Sequence, residues 1–151
     1  MSDHKIALLK ELDDARVYLN DSLARLDDDT VIYPGWKKRE FIAHVAGWEA
    51  MCYEAFRNHL AGRPQRSYPF ATVDAANDYF VAIRQSVPLQ DVTVEYEINR
   101  FAIRRFLIDI PEANYDQAVT FLWWQETVEQ FIHGATKHEL DHAADIRALK
   151  V

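Results

Sequence analysis

Apolar side chains recur every three or four residues through most of the chain, the period of helices that bury one face. Leu8, Leu12, Ala15, Leu19, Leu23 and Leu26 form such a series over 5–26, with Asp, Glu, Lys and Arg filling the opposite side. A second series, Phe41, Val45, Trp48, Cys52 and Phe56, predicts a helix over 37–60 that stops before Gly62 and begins without a Ser, Thr or Asp cap. A loop with Arg63, Arg66 and two prolines follows. Asp74 is then the expected cap of a shorter helix carrying Ala76, Tyr79, Phe80, Ile83 and Val87 and ending at Pro88. Over 91–110, Val94, Ile98, Phe101, Ala102 and Ile108 again keep a helical period. The alternation Val92, Val94, Tyr96, Ile98 also suits a strand, but no turn signal or second strand stands beside it, so helix is expected. Beyond Pro111 lies a connection holding Phe121, Trp123 and Trp124, and Thr127 with Gln130 makes a capping-box opening for a last helix to about Leu149. The expected fold is all-α: an up-and-down four-helix bundle with one extra short helix, in one domain spanning 1–151.

Composition narrows the classes of function. With 49 % hydrophobic and 27 % charged residues, the chain has the balance of a globular protein rather than a disordered one. Its 17 Lys and Arg against 24 Asp and Glu give a formal charge of -7, which opposes binding to phosphate backbones and anionic membranes. Acidic residues from position 3 onward are unlike a secretion signal, and no uncharged apolar run approaches a membrane span. Cys52 is the only cysteine, so an internal disulfide is impossible and a reducing cytoplasm is the expected home.

The candidate chemistry lies in the histidines. His138 and His142 stand four residues apart on one face of the last helix, the separation at which two imidazoles share a metal ion. His44 sits on or beside the face of the second helix that carries Trp48 and Cys52, pointing into the bundle or its rim. Gly47 and Gly134 lie on the histidine sides of their helices. They either let the two backbones approach or make room for Trp48 or Trp124. Three imidazoles without a thiolate or carboxylate would leave a divalent ion positions open for water or substrate, as in catalytic sites.

HELDH also matches the HExxH string of zinc peptidases, with Glu139 as general base. Only nine residues follow His142, too few for a third ligand from a later helix. Glu49 and Glu139 neighbour the candidate ligands as acid, base or imidazole acceptors, although carboxylates on helices are by default solvated. Trp48 would wall a pocket or fill the core, and Cys52 reads as a small buried apolar residue. Arg63 and Arg66 would clamp a carboxylate on a substrate or thiol cofactor, whereas Arg100, Arg104 and Arg105 are expected to pair with acids on helix faces.

Gly35-Trp36-Lys37, Phe41-Ile42-Ala43-His44, Gly47-Trp48-Glu49 and His138 to His142 followed by ADIRAL resemble the DinB and YfiT-like superfamily. Within it, the likeness is to the branch that includes the DfsB and colibactin self-resistance proteins, and it covers nearly the whole chain. The resemblance implies a four-helix bundle whose second-helix His and last-helix HxxxH pair bind a divalent metal, often zinc or nickel. Carried over, those ligands are His44, His138 and His142. Characterised relatives include metal-dependent enzymes using mycothiol, bacillithiol or glutathione, and a self-resistance hydrolase acting on a reactive natural product. A homodimer is also implied. The family often opens the second helix with Ser or Thr where this chain has Lys37 and Lys38, a departure that bears on a cap rather than a ligand. The expected function is thus a divalent-metal-dependent enzyme, a thiol-dependent transferase or a hydrolase, acting on a small electrophilic or toxic compound. A non-catalytic bundle binding a small molecule or protein partner is the alternative.

Overall fold

A computed structural model describes all 151 residues. Its helices are α1 (Asp3–Leu23), α2 (Lys38–Leu60), α3 (Val73–Ala82), α4 (Leu89–Asp109) and α5 (Val128–Arg147), an all-α bundle of four long helices and one short one. None of them is long and apolar enough to cross a membrane. α1 lies against α5, α2 against α4, and α3 against α2.

Local chemistry sets the helix ends. Ser2 Oγ accepts from Lys5 N–H at 3.1 Å to open α1, and Thr127 and Gln130 exchange side-chain and backbone bonds of 3.0 and 2.9 Å to open α5, as the capping box predicts. Glu40 replaces the missing cap of α2 by reaching back to Lys37 N–H at 2.9 Å. Thr72, not Asp74, caps α3, because its hydroxyl is the group placed to accept from Ala75 N–H, at 3.2 Å.

The connection after Pro111 is not plain loop. It holds a short 3-10 turn, Glu112–Asn114, and a two-stranded antiparallel hairpin, β1 (Ala118–Thr120) paired with β2 (Gln125–Thr127), whose tip is 121–124. Three-residue strands fall below the length at which alternation is visible in sequence.

α4 is helical as expected but faces the other way. Val92, Tyr96, Arg100, Ile103 and Leu107 are buried, while Val94, Ile98 and Phe101 are exposed. The inward stripe thus carries a charge at Arg100, matched by Arg16 on the buried face of α1. Two apolar layers result. One centres on Leu8, Leu12, Phe56, Ile103, Leu107 and Ile132, the other on Leu19, Leu23, Phe41, Val92, Tyr96 and Ile146. Residues 16, 49, 100 and 139 fall between them along every long helix.

The two interior glycines do not bring α2 and α5 together. A Cβ on Gly47 would lie 2.4 Å from Cβ and Cγ of Phe80, so that glycine seats α3 on α2, whereas a Cβ on Gly134 would meet nothing within 4 Å. Gly47→Ala is therefore expected to destabilise by about 1–3 kcal/mol through overpacking. Gly134→Ala, free of any clash, should stabilise by up to about 1 kcal/mol through helix propensity. Urea unfolding of both variants checks the pair, and equal effects would contradict the assignment.

Candidate metal centre and cavity

Tyr33-Pro34-Gly35-Trp36 makes the turn that enters the site. Trp36 N–H bonds Tyr33 C=O at 2.8 Å, Pro34 supplies the fixed φ of the second position, and Gly35 adopts φ +80°, as a type II turn requires. The turn holds Tyr33 against His142, with ring centroids 5.5 Å apart, and Trp36 against His44, at 5.0 Å.

His44 of α2 and His138 and His142 of α5 converge. One nitrogen from each lies within 4.8 Å of the other two. Nε2 of His138 is 3.3 Å from Nε2 of His44 and 2.8 Å from Nε2 of His142. Nitrogens held tetrahedrally at about 2.0–2.1 Å from zinc stand roughly 3.3 Å apart, so the constellation fits a shared ion, one pair being tighter. Tyr33 Oη donates to Asp145 at 2.7 Å and lies 2.6 Å from Nδ1 of His142. With Nδ1–H donating to Tyr33, the lone pair of His142 is left on Nε2, facing the other two rings. Nδ1 of His44 is buried without a partner.

The imidazoles are neutral at physiological pH, the form that ligates. Burial, then the neighbouring His138 and His142, pushes His44 down to about 3. Burial and then His138 push His142 down to about 4, and burial lowers His138. Because the folded values lie below the ordinary 6.5, the unfolded chain takes up protons first as pH falls. Stability of the metal-free protein is thus complete above that value and declines below it. The decline is up to roughly 1.4 kcal/mol per pH unit for the most buried ring, His44. Denaturant titrations of metal-free protein at successively lower pH should show it, and a His44→Gln variant should show a shallower decline.

A cavity of about 1090 Å³ opens beside the three rings. Trp36, Trp48, Trp123, Trp124 and Phe131 give it aromatic walls, and Gly134 keeps its α5 side free of a side chain. Trp48 Nε1 donates to Asn77 Oδ1 at 2.7 Å, tying the wall to α3. Cys52 also lines the cavity, but burial raises its thiol well above the ordinary range, which keeps it un-ionised. Arg63 and Arg66 are not among the lining residues. Both are exposed, and Arg66 instead leans on Tyr68 and reaches Glu54 at 3.7 Å.

The two glutamates are not solvated. Arg16 and Arg100 both pair with Glu49 and Glu139, placing a four-charge cluster between the apolar layers. Arg16 Nε donates to Glu139 at 3.0 Å and Arg100 Nη2 to Glu49 at 2.8 Å. Every one of these bonds ends on an Oε1 atom, leaving both Oε2 atoms buried and without a partner. Arg100 is thus a buried interhelical residue rather than a helix-face one, while Arg104 and Arg105 reach Asp13 and Asp109 as expected of surface pairs. Glu139, clasped by two guanidiniums, is not arranged as the base of an HExxH peptidase. Sequence reasoning missed Arg16, Tyr33 and Asp145. Arg16 had a visible signal, since it falls at helical spacing inside the stripe of Leu12 and Leu19.

No sequence-family model and no curated protein sequence matches the chain. Solved structures do, and they are DinB/YfiT-like folds, so the chain has that fold. The mycothiol-dependent maleylpyruvate isomerase superposes with TM-score 0.77 at 14 % identity, covering 97 % of this chain. This chain spans only 62 % of that protein's length. "Sibling Lethal Factor Precursor - DfsB" superposes at 0.76 with 18 % identity over 97 % of this chain and 95 % of that one. The colibactin self-resistance protein ClbS, solved in complex with double-stranded DNA, gives 0.75 and 10 % identity over 97 % of both chains.

Proposed function

We propose that the protein is a divalent-metal-dependent enzyme, a thiol-dependent transferase or a hydrolase, acting on a small electrophilic or toxic compound. The observation that carries this reading is the convergence of three neutral imidazoles on the wall of a large aromatic cavity. His44, His138 and His142 are the proposed ligands of zinc or nickel. A divalent ion there would supply Lewis acidity, lowering the pKa of a bound water or of a low-molecular-weight thiol toward neutrality. Tyr33 and Asp145 fix the tautomer of His142, and Trp48 presents a flat surface to the guest. Glu49 and Glu139 contribute by holding Arg16 and Arg100 between the helices, and each keeps one oxygen free to accept a hydrogen bond. Arg63 and Arg66, outside the cavity lining, have no part in this scheme.

A thiol cosubstrate is supported by the mycothiol dependence of one structural neighbour. The partner is a small molecule, not nucleic acid, since the formal charge is -7 and carboxylates crowd the cavity, notwithstanding the DNA seen with ClbS. The lone, buried Cys52 suits a reducing cytoplasm. Val94, Ile98 and Phe101, exposed along one side of α4, offer an apolar surface for a homodimer.

Purified protein should take up one zinc or nickel per chain. Excess metal at about a hundred times its Kd should raise the melting temperature by on the order of 5–10 °C. No uptake and no thermal shift would leave a non-catalytic bundle that binds its ligand through aromatic residues.

A further inference from the structure

Charge and hydrogen-bond supply around the cavity select among small molecules. Seven carboxylates line it, from Glu49, Asp74, Asp78, Glu126, Glu139, Asp141 and Asp145, against one arginine, Arg100. That arginine is buried and committed to Glu49 and Glu139. No basic side chain pairs with Asp74, Asp78 or Glu126, although Asp141 holds Lys137 at 2.5 Å. A doubly charged cation at the imidazoles would still leave the lining negative.

Two acceptors stand unfilled inside this field. Glu49 and Glu139 are 7 % and 2 % exposed, line the cavity, and each keeps an Oε2 with no donor. A buried carboxylate oxygen without a donor costs free energy, so a guest whose N–H or O–H groups reach these oxygens on a small turn of the carboxylates gains by filling them. Four tryptophans on the walls offer π-faces on which a flat cation is held by both stacking and quadrupole attraction.

We propose that the cavity takes a planar, cationic compound bearing N–H donors, such as an aromatic amidine or protonated amine, and rejects carboxylates and phosphates. The proposal rests on the reading that this cavity is the substrate site. It excludes anionic thiols such as glutathione as tight ligands here, because their carboxylates would enter a negative lining with no free basic side chain to receive them.

Isothermal titration of the intact protein, metal-free and zinc-loaded, with 2-naphthamidine, 2-naphthamide and 2-naphthoate tests it, since the three share one ring system and differ in charge and donors. The amidine is expected to bind at least about tenfold more tightly than the carboxylate, with the neutral amide between them. Glu126→Gln, and separately Asp74→Asn with Asp78→Asn, should shrink the preference several-fold with unchanged melting temperature. Equal or tighter binding of the carboxylate, or no saturable binding of the amidine, overturns the inference. Zinc uptake without amidine preference removes this inference alone, and amidine preference without zinc uptake removes only the metal-enzyme reading.

Discussion

Replacing His138 with Ala is expected to weaken zinc binding by more than roughly 100-fold, beyond the range of an outer-sphere change, while the helices still form. His138 is the middle ring of the three, with both neighbouring Nε2 atoms within 3.3 Å of its own. Without it, two imidazoles from different helices remain, one fewer than the three protein ligands of an open catalytic zinc site. Tyr33→Phe gives the graded counterpart, since it removes only the group that orients His142. Its loss should be about 10–100-fold. Chelator competition measures both affinities, and circular dichroism of metal-free protein reports folding. The opposite result would be unchanged zinc affinity with a large drop in the stability of His138→Ala, making these rings ordinary core residues.

Arg100→Met should lower unfolding free energy by about 3–5 kcal/mol, the cost of stranding a buried charge. Methionine keeps most of the apolar stem, so the loss reports mainly on the guanidinium. Arg100 reaches from α4 to Glu49 on α2 and Glu139 on α5, and its Nη1 donates to the Leu12 carbonyl of α1 at 3.2 Å. With Arg16 alone, two buried carboxylates share one cation. The contrasting variant replaces Arg16, Glu49, Arg100 and Glu139 together by apolar residues of similar volume. It should be about as stable as the parent, or more so, because no charge is left unpaired. Urea midpoints of the two proteins settle the matter. A loss below about 1 kcal/mol for Arg100→Met would place the cluster in effective contact with water.

The helices were legible because burial imposes a period on the chain, and the α5 start because Thr127 and Gln130 act within four residues. The hairpin at 118–127 was not, since two three-residue strands carry no period. In α4 the series Val94, Ile98 and Phe101 is as regular as the buried one, and only partners on other helices decide which face turns inward. The imidazole trio was readable in spacing and in resemblance. Its support was not, because Tyr33 and Asp145 meet 112 positions apart. Glu49 and Glu139 looked like solvated neighbours of histidines until Arg16 and Arg100, each from a different helix, claimed them. Gly47 shows the same limit in reverse: its need for space was visible, but the claimant, Phe80, was not.

The tip of the hairpin bears on how such a protein diversifies. Trp123, Trp124 and Glu126 reach the cavity from β1–β2, whereas the imidazoles stand on two long helices of the scaffold. The imidazole trio and this part of the cavity wall therefore reside on separable pieces of polypeptide. Grafting a different ten-residue ribbon in place of 118–127 is expected to retune the repertoire of accepted compounds while the helices that carry the histidines are inherited unchanged.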